Sequence, residues 1–174
     1  MNVSAELYAD KNGGYMGAYE SFASVYDLFM SDIDYDKWVE YVEKIWRKFD
    51  IDPEIVCELG CGTGNITLRM AKKGRDMIGI DISADMLSEA RNKAAEQGLD
   101  VLFLLQDMRE FELYGTVNSI VCLCDSLNYI TEYEDMRQVF DLVNNYLHPG
   151  GLFIFDLNTD YKFREVYGEN IFRG

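Results

Sequence analysis

Val56-Cys57-Glu58-Leu59-Gly60-Cys61-Gly62-Thr63-Gly64-Asn65 decides the reading of this chain. A short apolar run meets the acidic Glu58 and then three glycines at alternate positions, Gly60, Gly62 and Gly64. Ile66-Thr67-Leu68-Arg69-Met70-Ala71 follows at once and reads as a helix. Alternate glycines let a backbone turn tightly and come close to a ligand. A helix that starts at Asn65 aims its free N–H groups at whatever rests on the loop. The stretch predicts a strand, loop and helix that together hold a nucleoside-like cofactor.

The same alternation continues outward. Residues 55–59 read as a strand and 65–73 as a helix, then 77–82 as a strand and 84–97 as a helix with Ser83 as N-cap and Gly98 at the C-terminal end. A third strand is expected over 101–105 and a fourth over 118–124. The Thr131-Glu132-Tyr133-Glu134 capping box should then open a helix over 132–147. Pro149-Gly150-Gly151 turns the chain into a strand over 152–157, and a short helix is expected over 161–166. Upstream, residues 19–30 look helical. Asp34 is placed to cap a helix carrying Trp38, Tyr41, Val42, Ile45, Trp46 and Phe49 on one face, which Pro53 stops. Strands alternating with helices mean βαβ units, hence an α/β, doubly wound, Rossmann-like fold with a mostly parallel sheet. Continuous apolar strands such as Val101-Leu102-Phe103-Leu104-Leu105 fit a sheet covered on both faces. Residues 1–18 are polar and Gly-containing and read as a flexible segment, leaving 19–174 as the one domain.

Bulk composition narrows the function. The 174 residues suit a single core, and 48% hydrophobic with 27% charged is ordinary for a globular chain. Sixteen basic against 31 acidic residues give a net charge of −15, which repels phosphate backbones and disfavours a nucleic-acid substrate. There is no apolar run long enough to span a bilayer and no signal-peptide pattern, so a cytoplasmic protein is expected. Cys57, Cys61, Cys122 and Cys124 all fall in or beside expected strands. Their spacing is not that of a zinc site, so they read as small buried apolar residues and no metal is expected. The lone histidine, His148, reads as a helix cap.

Two cofactor classes use such a loop. Dinucleotide binders want G-x-G-x-x-G, and Asn65 stands where the last glycine would be. The remaining motifs favour the other class. Glu58-x-Gly60-x-Gly62-x-Gly64 resembles the first motif of class I S-adenosylmethionine-dependent methyltransferases. Gly79-Ile80-Asp81-Ile82-Ser83 resembles their second, Gln106-Asp107-Met108 the adenine-binding turn after the third strand, Cys124-Asp125-Ser126-Leu127-Asn128-Tyr129 the position of the fourth, and Leu147-His148-Pro149-Gly150-Gly151-Leu152 the turn into strand five. The likeness spans about residues 19 to 160 and is closest to the small-molecule, glycine N-methyltransferase-like branch.

The resemblance implies S-adenosyl-L-methionine as cofactor and assigns roles. Gly60, Cys61, Gly62, Gly64 and Asn65 would form the loop beneath the methionine portion and ribose. Asp81, ending strand two, would accept the ribose hydroxyls. Asp107 would accept from the adenine amine beside Gln106, with the Met108 N–H at a ring nitrogen. Ile82, Met86 and Met108 would flank the ring. Glu58 and the carbonyls of Gly60 and Cys124 could meet the methionine ammonium, or Glu58 could instead tie the loop to the next helix. Tyr26 and Trp38 would approach the cofactor, although core packing explains Trp38 equally well. Asp125, Asn128 and Tyr129 are the candidate catalytic and acceptor-contacting residues. Asp125-Ser126-Leu127-Asn128 departs from the Asn/Asp-Pro-Pro-Tyr of nucleic-acid amino methyltransferases and points to a small-molecule acceptor.

Methyl transfer from a sulfonium needs alignment and water exclusion rather than a Ser-His-Asp set. The resemblance also implies a C-terminal β-hairpin. The chain is expected to lack it, which suggests a piece of a longer protein and leaves the fifth strand with an open apolar edge. A nicotinamide-dependent oxidoreductase and a non-catalytic cofactor- or partner-binding domain are the alternatives.

Overall fold

The structure, a computed structural model, describes residues 26–28, 30–159 and 161. The segment expected over 1–18, most of the helix expected over 19–30 and, Tyr161 apart, the helix expected over 161–166 lie outside the described residues.

The element order is α1 (Tyr35–Lys48), β1 (Ile55–Leu59), α2 (Asn65–Lys72), β2 (Asp76–Asp81), α3 (Ala84–Glu96), β3 (Val101–Leu105), β4 (Val117–Cys122), a 3-10 turn (Ser126–Tyr129), α4 (Tyr133–Tyr146) and β5 (Leu147–Phe155). The five strands form one sheet in the order β3-β2-β1-β4-β5, every pair parallel. This is the expected doubly wound α/β fold. The order reverses between β1 and β4, because the chain winds outward from β1 to β3 and then returns to the other side of β1.

Period-two alternation distributes the strands' side chains to two cores. Val56 and Val121 join Val39, Val42 and Trp46 of α1 and Ile66 and Met70 of α2 on one face. Cys57, Leu59, Ile120 and Cys122 join Phe111 and Val139 and Val143 of α4 on the other. A third cluster, with Leu68, Leu87, Ala90 and Phe103, packs α2 and α3 around β3. The cysteines are free thiols, and burial pushes those of Cys57, Cys61 and Cys122 up, so they stay neutral.

Polar joints lock the layers. Trp46 Nε1 donates to Ser119 Oγ at 3.0 Å, and Ser119 Oγ donates to Leu152 O at 3.0 Å, so one buried hydroxyl links α1, β4 and β5. Trp46→Phe keeps most of the packing and removes one of these bonds. It is expected to cost about 1–2 kcal/mol in urea unfolding at unchanged m.

Several local expectations are met. Asp34 caps α1 by accepting from Lys37 N at 3.1 Å, and Ser83 caps α3 by accepting from Met86 N at 3.4 Å. Gly98 follows α3 with φ +64°. Others need correction. The capping box at Thr131 does not form. Glu132 is the N-cap of α4 and makes no side-chain cap bond, while Glu134 and Asp135 place negative charge in the first turn. His148 caps no helix: it lies in β5, exposed, with Nδ1 2.9 Å from the Pro149 carbonyl oxygen. β5 begins at Leu147 rather than residue 152 because Leu147 already pairs with Val117, and an irregularity follows before Ser119 pairs with Leu152. β4 stops at Cys122, two residues early, because Cys124 and Asp125 turn into the left-handed region at φ +57° and +66°. Among the described residues β5 pairs only with β4. Phe153 and Phe155 stack on its outer half against Phe140 of α4, with ring centroids 4.9–5.5 Å apart.

Candidate functional site

The loop after β1 is built at the point where the strand order reverses. Gly60 N–H and Cys61 N–H both donate to Ile80 O, at 2.8 and 2.9 Å, which bends the chain toward β2 as soon as β1 ends. Gly60, Gly62 and Gly64 have φ of +71°, +53° and +78°, so the alternate glycines meet a backbone requirement. A Cβ on Gly60 would sit 2.7 Å from Ser126, whereas one on Gly62 would meet nothing within 4 Å. The loop is therefore packed hard against the turn after β4 at one glycine and clear at the next. The Ser126 hydroxyl, 2.9 Å from Leu123 O and 3.2 Å from Gly60 O, shares its one proton between the two carbonyls and staples the tips of β1 and β4 together.

Asp81 ends β2 beside this loop. Its Oδ2 accepts from Gly62 N–H and its Oδ1 from Ser83 N–H, both at 2.8 Å. Two backbone donors fix the carboxylate while leaving each oxygen further accepting capacity, since an ionised carboxylate offers about four lone-pair positions. Beyond it, Ile82, 68% exposed, lines a crevice of about 340 Å³ with Leu105, Gln106, Asp107, Glu110 and Glu112. Gln106 holds the far wall: Glu112 N–H donates to its Oε1 at 3.0 Å and its Nε2 donates to Glu112 O at 3.4 Å. Met86, half-buried, stands in the first turn of α3. Met108 reaches over the loop, its Cε 3.4 Å from where a Gly60 Cβ would be.

Asp107 is less open than expected. Arg109 Nε donates to both of its oxygens at 3.0 Å, Arg109 Nη2 donates at 2.5 Å and Arg109 N–H at 2.9 Å, and this guanidinium holds the carboxyl below its usual range. Arg109 Nη1 also pairs with Asp135 at 3.0 Å, so the guanidinium bridges the two carboxylates.

Glu58 is 3% exposed, and the Thr67 hydroxyl donates to its Oε2, so of its two expected roles the tie to α2 is formed. Burial raises its pKa from 4.5 to about 8 despite the Thr67 bonds, with Asp81 adding a smaller rise. The Cys61 side chain points into the third core cluster, leaving its backbone to the loop. Asn65 Nδ2 turns away to Asp27 and Thr63. Trp38 packs against the first core cluster, in line with the packing role.

After β4, consecutive left-handed non-glycine residues, Cys124 and Asp125, mark a strained turn of the kind that clusters at functional sites. Asp156, at the end of β5, accepts from Asp125 N–H at 3.0 Å. Asn128 donates to Asp125 O at 3.2 Å and to Asp125 Oδ1 at 3.4 Å, and its own Oδ1 accepts from Asn158 N–H at 2.9 Å. Tyr129 stands 84% exposed beside them. Burial, then Tyr129, Cys124, Asp27 and Asp81 in that order, hold the Tyr26 phenol above its ordinary range. Asp156 and Asn158 were not singled out from sequence. Their position straight after the fifth strand, level with Asp125, was the available signal. Among the described residues no group of His, Cys, Asp and Glu could hold a metal ion.

Residues 56–151 match the family described as "Methyltransferase domain". The chain is 40% identical over 155 residues to YqeM of Bacillus subtilis (strain 168), covering 88% of this chain and 61% of that protein. It is 27% identical over 134 residues to the dTDP-3-amino-3,4,6-trideoxy-alpha-D-glucopyranose N,N-dimethyltransferase of Streptomyces venezuelae, 76% of this chain and 55% of that one. The crystal structure of a S-adenosylmethionine-dependent methyltransferase from Clostridium acetobutylicum ATCC 824 superposes with a TM-score of 0.77 at 37% identity, over 87% of this chain and 62% of that one. The chain thus spans less than two thirds of the length of each. The glycine loop at the strand-order switch, the acid ending β2 and these likenesses agree: the chain belongs to the class I S-adenosylmethionine-dependent methyltransferases.

Proposed function

We propose that this protein transfers the methyl group of S-adenosylmethionine to a small-molecule acceptor by in-line displacement. The observation that carries the reading is the convergence, at one switch point, of the Gly60–Gly64 loop, the Asp81 carboxylate and the turn at Cys124 and Asp125. Ligands of open α/β sheets bind at such a point, outside the carboxyl ends of the strands. The residues fit the cofactor: Gly62 presents a side with no side chain and no close neighbour, and Asp81 is oriented by two backbone donors with accepting capacity to spare.

The cofactor, when bound, supplies a methyl group already activated by its sulfonium. Everything else is alignment. Asp81 would accept the ribose hydroxyls, Ile82, Met86 and Met108 would flank the base, and the Gly60 and Cys124 carbonyls would meet the methionine ammonium. Tyr26 and Tyr129 would supply aromatic faces, which favour a cation, at the methyl-bearing end. Asp125 and Asn128 orient the acceptor. Positioning of this kind supplies roughly 7–11 kcal/mol of a barrier. The acidic balance of the chain and the amino-sugar substrate in the name of the Streptomyces venezuelae relative both support a small molecule as acceptor.

The test is Asp81→Ala, titrated with S-adenosylmethionine by calorimetry. Loss of charge-assisted hydrogen bonds should weaken binding by about 1–3 kcal/mol with the far-ultraviolet circular dichroism unchanged. Asp81→Asn, which keeps one acceptor, should fall between. Unchanged affinity in Asp81→Ala would mean that the ribose lies elsewhere.

A further inference from the structure

Asp27 belongs to none of the roles assigned above, yet three side chains from three elements converge on its carboxylate. Thr63 Oγ1, from the glycine loop, donates to Oδ1 at 2.6 Å. Asn65 Nδ2, at the start of α2, donates to the same oxygen at 2.9 Å, and Lys93 Nζ, from the last turn of α3, donates to Oδ2. Lys93 Nζ also donates to Thr63 O at 3.2 Å, and Asn65 Nδ2 to Thr63 Oγ1 at 3.1 Å, so the four residues form one closed network. The Asp27 and Lys93 side chains are only 25% and 19% exposed, and Thr63 is 1% exposed. This is not the solvated surface pair whose worth is near zero. It is a shielded, multidentate cluster, in which each hydrogen bond strengthens its neighbours.

What the network holds is specific. Thr63 lies between Gly62 and Gly64, two of the three left-handed glycines of the loop. Asp81 fixes Gly62 from the β2 side, and Asp27 fixes Thr63 from the opposite side. A loop with three left-handed residues has many other conformations, and ordering each residue on binding would cost about 1–2 kcal/mol. Anchoring Asp27 therefore fixes the Thr63 segment of the glycine loop from both its side chain and its carbonyl.

We propose that Asp27 is a positioning residue for the cofactor: through Thr63, Asn65 and Lys93 it pre-forms the glycine loop. The proposal rests on the crevice reading given under Proposed function.

The experiment titrates the full chain with S-adenosylhomocysteine by calorimetry, at a temperature where every variant is folded, and records thermal unfolding of the cofactor-free protein alongside. Asp27→Ala and Lys93→Met should each weaken binding about tenfold, equivalent to about 1.4 kcal/mol. The double variant should lose little more than either single one, because both break the same anchor. Asp27→Asn, whose amide oxygen still accepts from Thr63 and Asn65 but whose amide nitrogen cannot accept from Lys93, should bind like Lys93→Met, a loss that tracks the broken Lys93 bond and not the unfolding midpoint. Wild-type affinity in Asp27→Ala, additive losses in the double variant, or a lowered unfolding midpoint with unchanged affinity would each overturn the proposal. Asp81→Ala separates the two levels. If it also binds as wild type, the crevice reading fails; if it binds weakly while Asp27→Ala does not, only the anchor fails.

Discussion

Gly60→Ala is expected to destabilise the protein by about 2–5 kcal/mol and to remove most of its cofactor affinity. Two separate costs add. At φ +71° an L-residue with a Cβ is strained by roughly 1–2 kcal/mol. The new Cβ would also lie 2.7 Å from both Cβ and Oγ of Ser126, and the first of these cannot swing aside without moving the backbone. Overpacking of this kind costs about 1–3 kcal/mol. The displaced residue is the one whose hydroxyl bonds Gly60 O and Leu123 O, so the junction of β1 and β4 opens where the crevice needs it closed. Urea unfolding gives the stability loss, and calorimetry with S-adenosylhomocysteine gives the affinity. Gly62→Ala serves as the control for stability, since its φ is +53° and its Cβ would meet nothing within 4 Å, which leaves the backbone cost alone. Adding Ser126→Gly to Gly60→Ala should restore the steric share. If Gly60→Ala were no less stable than Gly62→Ala, the contact with Ser126 would not hold the switch point together.

The elements that were legible in sequence are those whose signals are local. Val101-Leu102-Phe103-Leu104-Leu105 reads as a buried strand because helices cover both faces of a parallel sheet, and it is β3. Asp34 and Ser83 cap helices through bonds that span three residues, so the chain itself carries the signal. The three glycines announced the loop because its left-handed backbone admits little else. What was not legible depends on distant partners. The turn at Cys124 and Asp125 is held by Asp156, 31 residues on, and nothing in the apolar run before it says that the strand has ended at Cys122. Thr131 had the spacing of a capping box, but the helix begins one residue later than that box requires. Asp27 and Lys93 are 66 residues apart, and only the fold brings them together. The cofactor loop, its Glu58 tie and Asp81 are thus visible in sequence, and the distant anchors Asp27, Lys93 and Asp156 are not.

Glu58 should make stability fall as pH rises, the reverse of an ordinary native carboxylate. Burial raises its pKa from 4.5 to about 8. Between those values the folded chain keeps a proton that the unfolded chain has released. The stabilisation is therefore complete below about pH 4.5 and is lost as pH rises toward 8, with a slope of up to about 1.4 kcal/mol per pH unit. Glu58→Gln is always neutral and can still accept from the Thr67 hydroxyl, so it should lack this slope. The two proteins should have similar stability near pH 4, and the variant should be more stable at pH 8 by about 4 kcal/mol, measured by urea unfolding across the range. Parallel profiles would mean that Glu58 is ionised in the folded protein and neutralised by a partner. The same variant separates its two roles at the cofactor. A carboxyl that only ties the loop to α2 through Thr67 can be replaced by the amide with affinity for S-adenosylmethionine held within about threefold. One that meets the methionine ammonium cannot, because a cation left facing a neutral amide in a desolvated pocket loses a charge-assisted bond and about tenfold or more in affinity. With Glu58 3% exposed and already bonded to Thr67, the smaller loss is the expected one.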